Sequence, residues 1–133
     1  MKPEVAEFLD AHRVGALATT ADDGRPRQSI VYYARAGDHV LVSTLTDRAK
    51  ARDVRRTGRA SLCVVGAEPP FPSATVSGPA KILTEGIGPA SAAVVARVTG
   101  TDEAPESQTD EALAAVGRVI LRIEVTQARA TYL

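Results

Sequence analysis

The sequence predicts a mainly β protein, a six-stranded antiparallel barrel with flanking helices. Three observations carry that expectation. Six runs rich in Val, Ile, Leu and Thr recur along the chain. Most are separated by short connections built from Gly, Pro and Asp. Few segments have helical spacing, and closing the sheet on itself removes edges that would otherwise pair with other chains.

The elements follow in order. Pro3 suits the first turn of a short helix, with Val5, Phe8 and Leu9 on one face. Residues 14–20 read as the first strand. Asp22-Asp23-Gly24 makes a turn, and Pro26 keeps the residue before it extended. Residues 27–33 form the second strand, and Gly37-Asp38 turns into the third at residues 39–44. These three strands are expected to form an antiparallel meander. A basic helix at residues 48–59 crosses to a fourth strand at 60–65, with Thr46 and Asp47 as good N-cap types. The proline-rich loop 66–72 cannot join a central strand. Residues 73–83 form a long fifth strand, bent at Gly78-Pro79. Residues 89–98 suit a helix, with Pro89 at its start and Gly100 past its end. Residues 101–111 are acidic, lack periodicity and read as a surface loop. Its charges, Asp102, Glu103, Glu106, Asp110 and Glu111, read as solvated. The last strand spans 118–125 and extends towards Ala130.

A chain of 133 residues is one domain that buries about two-thirds of its unfolded surface on folding. Acidic and basic residues balance at 16 each. A nucleic-acid coat carries a positive excess, and aromatic stacking platforms are scarce at 4%. No nucleic-acid partner is therefore expected. The absence of an 18-residue apolar run, or of a signal-like N-terminus, leads to the expectation of a cytoplasmic protein without a membrane partner. Cys63, the single cysteine, excludes an internal disulfide. It lies in the apolar run 60–65 and is expected to be buried.

Positive charge is local in this neutral chain. Six of the 16 basic residues fall within residues 48–59. Such a run can be a solvated helix face. It can also be an anion site, because a helix starting there points backbone N–H groups outward beside Arg48 and Lys50. On a 3.6-residue repeat Lys50 lies about 160° from Arg52, so the whole cluster cannot meet one phosphate. Arg48 and Lys50, in the first turn, are the candidates for a phosphate-bearing redox cofactor. Gln28 and Ser29, at the start of a strand, either belong to an ordinary hairpin or line a planar ring. A barrel this small is filled by its own side chains, so the ligand must lie outside it. A second subunit would be needed to cover that ligand, and a homodimer is expected.

Other chemistries find less support. Gly86-Ile87-Gly88 precedes a helix but lacks the third glycine of a dinucleotide fingerprint, and Pro89 removes a donor. His12 and His39 have no partners at metal-ligand spacing. No Gly-x-Ser-x-Gly elbow is present.

Taken together, Leu17-Ala18-Thr19-Thr20, Asp23-Gly24-Arg25-Pro26, Val42-Ser43-Thr44, Arg48-Ala49-Lys50-Ala51-Arg52 and Val76-Ser77-Gly78-Pro79-Ala80 resemble the pyridoxamine 5′-phosphate oxidase-like family of flavin-binding split barrels. The branch they resemble most is that of coenzyme F420-dependent oxidoreductases. The resemblance implies an FMN-binding split β-barrel homodimer with a flavin or deazaflavin in each of two grooves between subunits. It implies that Arg48, Ala49 and Lys50 bind the phosphate, and that Ser43 and Thr44 end the strand beside it. Arg27, Gln28 and Ser29 would follow the ring, and Ser73 and Ala74 would come from the neighbouring subunit. The chain departs from the family in having no tryptophan, and in placing Asp53 where relatives often have asparagine. The implied activity is hydride transfer from reduced F420 to a conjugated small-molecule acceptor. The alternatives are an FMN-dependent oxidoreductase and a non-catalytic module that binds a cofactor or tetrapyrrole.

Overall fold

The fold is known from a computed structural model that describes residues 1–101 and 103–133. Asp102, read above as a solvated charge, lies outside the described residues. The elements are α1 (Pro3–Ala11), β1 (Val14–Thr20), β2 (Pro26–Tyr32), β3 (Ala34–Ala36), β4 (His39–Leu45), α2 (Ala49–Thr57), β5 (Arg59–Val65), β6 (Ser73–Leu83), α3 (Gly88–Thr99), α4 (Asp110–Ala115), β7 (Arg118–Glu124) and β8 (Gln127–Thr131). The strands pair antiparallel in the order β2-β1-β5-β6-β7-β4-β3, with β8 also on β6. The architecture is a curled, mainly β half-barrel with flanking helices.

All six expected strands are present. Two short ones join them: β3, and β8, which is a separate strand rather than an extension of β7. The expected meander does not form. β2 pairs only with β1, while β4 pairs with β3 and β7. The chain breaks register at Tyr33, whose hydroxyl donates to the Leu9 carbonyl at 2.6 Å and ties α1 to the barrel.

The bend expected in the fifth strand is the corner of the barrel. Residues up to Pro79 pair with β5, and those from Ala80 onward pair with β7. A Cβ at Gly78 would sit 1.9 Å from the Glu124 carbonyl oxygen. Only glycine lets the two backbones approach so closely.

Two apolar clusters hold the fold. The barrel interior gathers Leu17, Val42, Leu62, Val76 and Leu121, sealed by Val54 of α2 and by Val5, Phe8 and Leu9 of α1. Each such fully buried aliphatic contributes about 1.5–3 kcal/mol. The second cluster lies on the outer face of β4 and β7. There Leu41 and Ile120 meet Val94 of α3, Leu113 of α4 and Ile87. Covering both faces explains the unbroken apolar runs Val40-Leu41-Val42 and Val119-Ile120-Leu121.

Two expectations are corrected here. Cys63 is exposed. In β5 burial alternates, so Leu62 and Val64 point inward and Cys63 points out. The acidic loop is shorter than expected, because α4 starts at Asp110. Thr109 caps it, its hydroxyl accepting from the Ala112 N–H at 3.1 Å. None of the described helices is long and apolar enough to cross a membrane.

Candidate cofactor site

The strand β4 delivers the chain to α2 with a sharp change of direction, and the site is built at that junction. Thr46 and Asp47 do not cap the helix as expected. Arg48 is the N-cap residue, extended at φ −71° and ψ 150°, without a side-chain cap bond. Its carbonyl accepts from the Ala51 and Arg52 N–H groups. The amides of Ala49 and Lys50 precede these bonds and have no intrahelical acceptor. Gly58 closes the helix in the left-handed region at φ 69°.

The six basic side chains divide into two sets. Arg55 turns back to the junction and donates to the Thr46 carbonyl at 2.7 Å and to the Thr46 hydroxyl at 2.6 Å. Arg52 reaches the Asp47 carbonyl at 3.3 Å. Arg56 bonds the Thr20 carbonyl and the Asp53 carboxylate. Among the described residues, Arg48, Lys50 and Arg59 have no side-chain hydrogen bond or ion pair. Arg48 is exposed and Lys50 is half-buried.

Asp53 explains why Arg56 points inward. Its carboxylate is 2% exposed and accepts from Thr19 at 2.8 Å, Arg27 at 2.8 Å and Arg56 at 3.2 Å. Burial alone pushes this carboxyl up. Hydrogen bonds from Arg27, Thr19 and Arg56 outweigh burial and hold it below the ordinary aspartate value.

Lys50 lines a cleft of about 510 Å³. On the strand side it is lined by Ser43 of β4 and by the exposed Ile30 and Tyr32 of β2. Its far wall is α3, through Ser91, Val94, Val95 and Val98, and its rim includes Gln108, Val116 and Arg118. Ser43, on the face of β4 opposite the barrel interior, looks into this cleft. Thr44 follows the strand alternation and is buried at 6% exposure. The same parity sorts the second strand. Thr19 pairs with Arg27 and Leu17 with Ser29, so Arg27 and Ser29 share the inner face while Gln28, Ile30 and Tyr32 share the outer one.

The structure therefore brings Ser43 and Lys50 together in the cleft, beside the helix start at Arg48 and Ala49. The Arg27 side chain is engaged by Asp53, and Gln28 is exposed on the outer face. Ser73 and Ala74 begin β6, opposite Val65 and Thr131, and do not line the cleft. Ala74 is fully buried. Ile30, Tyr32, Arg118 and the α3 wall were not anticipated. The α3 wall had a signal in the spacing of Ser91, Val95 and Val98, which puts them on one helix stripe.

The curled antiparallel half-barrel with flanking helices is consistent with the flavin- and deazaflavin-binding split barrels. The comparison with known families agrees: the pyridoxamine 5′-phosphate oxidase model matches residues 1–132, and the chain belongs to that family. The family includes oxidoreductases. No curated protein matches the sequence. Among solved structures, the chain is similar to the conserved hypothetical protein Rv2991 of Mycobacterium tuberculosis. The TM-score is 0.79 at 27% identity, covering 98% of this chain and 84% of that one. It shares its fold with an F420 reductase (TM-score 0.72, 23% identity, 92% and 94% covered). It also shares it with a FAD-binding protein of Mesorhizobium loti (0.72, 24%, 98% and 94%).

Proposed function

We propose that this chain is an F420-dependent oxidoreductase acting as a homodimer on a conjugated small-molecule acceptor. The observation that carries the reading is Lys50. It is half-buried in a cleft, beside a helix start with unpaired amides, and has no acidic partner among the described residues. A cation so placed fits a phosphate group. The likeness of the fold to an F420 reductase supports the choice of cofactor.

Arg48, Lys50 and the Ala49 amide would bind the phosphate, and Ser43 would donate beside it. Gln28, Ile30 and Tyr32 would form the floor under the ring. Ser73, remote from the cleft within one chain, would reach it from a second copy. That copy would also exclude water from the open side. When bound, reduced deazaflavin supplies the hydride, and the chain contributes position and dryness. A second reading is a flavin such as FMN in the same cleft, in keeping with the fold shared with a FAD-binding protein.

Side-by-side fluorescence titration with F420 and FMN tests the reading. F420 is expected to bind at an affinity on the order of micromolar, weakening as salt rises, and Lys50→Ala is expected to weaken it about tenfold. Stronger binding of FMN would transfer the assignment to the second reading. Unchanged affinity in the variant would refute the phosphate site. Tight binding without turnover of quinone or enone acceptors would identify a carrier rather than an enzyme.

A further inference from the structure

We infer that the α3 side of the cleft is the acceptor pocket, and that Arg118 selects an acceptor with an oxyanion on an apolar, aromatic or conjugated body. The inference rests on the cofactor reading above, because it divides one cleft between two occupants.

The lining is amphipathic in a specific way. Its charged side chains are Lys50 and Arg118, and no Asp or Glu lines it among the described residues. In the same lining, Val95 and Val98 of α3 are 41% and 49% exposed. Apolar side chains left this open beside cations suit a ligand with a greasy body and a charged end.

Arg118 is held in place by the backbone. Gly117, at φ 73°, reverses the chain from α4 into β7. Its carbonyl accepts from the Thr46 N–H at 2.8 Å, and Leu45 is the register partner of Arg118. One junction thus sets the positions of both cations. Arg118 has no ion pair or side-chain hydrogen bond among the described residues. Lys50 and the helix start suffice for one phosphate, which leaves Arg118 for a second anion. A guanidinium is a planar fork of donors, matched to carboxylate or sulfonate oxygens rather than to a neutral carbonyl.

The test uses 1-anilinonaphthalene-8-sulfonate and its neutral analogue N-phenyl-1-naphthylamine, which share a body and differ in the sulfonate. F420 is titrated in parallel. Arg118→Met is expected to weaken the sulfonate about tenfold, while the neutral probe and F420 stay within about twofold. Val98→Glu, which puts a carboxylate on the exposed wall and leaves Arg118 intact, is expected to weaken the sulfonate by a similar factor. It carries the test if Arg118→Met does not fold. Equal sulfonate affinity in wild type and variant overturns the inference. So does a parallel loss of F420 in Arg118→Met, which would assign this arginine to the cofactor's charged tail. Failure of wild-type protein to bind F420 would refute the cofactor reading and with it the acceptor role of the pocket, while the paired-probe comparison would still decide by itself whether Arg118 selects an oxyanion.

Discussion

Arg27 donates its Nε–H to Asp53 Oδ2 at 2.8 Å, joining the start of β2 to the middle of α2. A lone acid in a basic helix looks like a dilution of an anion site. Here it does the opposite. It draws Arg27 and Arg56 inward and fixes the helix against Thr19 of β1. Of the cations left without a side-chain partner, Arg48 and Lys50 stand at the helix start, where backbone N–H groups also point outward, and Arg59 lies beyond the helix in β5.

Asp53→Asn is expected to destabilise the fold by about 2 kcal/mol. The carboxylate is buried, but the side chains of Arg27 and Arg56 are 42% and 40% exposed, so water screens part of each pair. Urea midpoints at unchanged slope would measure the loss. The sign with pH follows from the depressed folded value. The stabilisation is fully present above the ordinary aspartate pKa of about 3.9 and is lost as pH falls through the folded one. The gap between wild type and variant should therefore close below about pH 4. A gap that persists in acid would show that the carboxylate's charge is not the source of the stability.

Gly78→Ala is expected to cost about 3 kcal/mol, because the added methyl meets backbone that cannot step aside. Thermal unfolding would register it as a lower midpoint. A neutral result would mean that the corner at β6 opens easily.

Tyr33→Phe removes a buried donor from the Leu9 carbonyl and should cost about 1 kcal/mol. Burial also pushes the phenol above the ordinary tyrosine range. Its contribution is present below the unfolded pKa of about 10 and is lost as pH rises through the higher folded value. An alkaline absorbance titration should show a late tyrosine ionisation in wild type that the variant lacks.

Arg55→Leu removes the two bonds to Thr46 and loosens the turn that spaces Lys50 from Arg118. F420 affinity is expected to fall about threefold, with stability changed by about 1 kcal/mol or less. An unaltered affinity would show that the Gly117 bond alone holds the junction.

The strands were legible because alternation and turn residues mark them. β3 is three residues long and carries no period. β8, Gln-Ala-Arg-Ala-Thr, has no apolar run and exists through its pairing with β6. The apolar run around Cys63 suggests uniform burial, but the parity of Leu62 and Val64 turns the thiol outward. α4 had a signal in Thr109-Asp110-Glu111, a cap and acidic first turn, which the surrounding acidic stretch concealed. Lys50 could be read from its place in a first turn. Arg118 could not, because only the pairing of β4 with β7 brings residues so far apart in sequence to one junction.

The outward thiol of Cys63 gives the molecule a native labelling address. It lies on β5 between Ala16 of β1 and Thr75 of β6, on the convex surface of the curl. A maleimide fluorophore or nitroxide would attach at one defined point without engineering. Should two molecules stack through that surface, the probes would become mutual rulers, and their coupling would report the stacking directly.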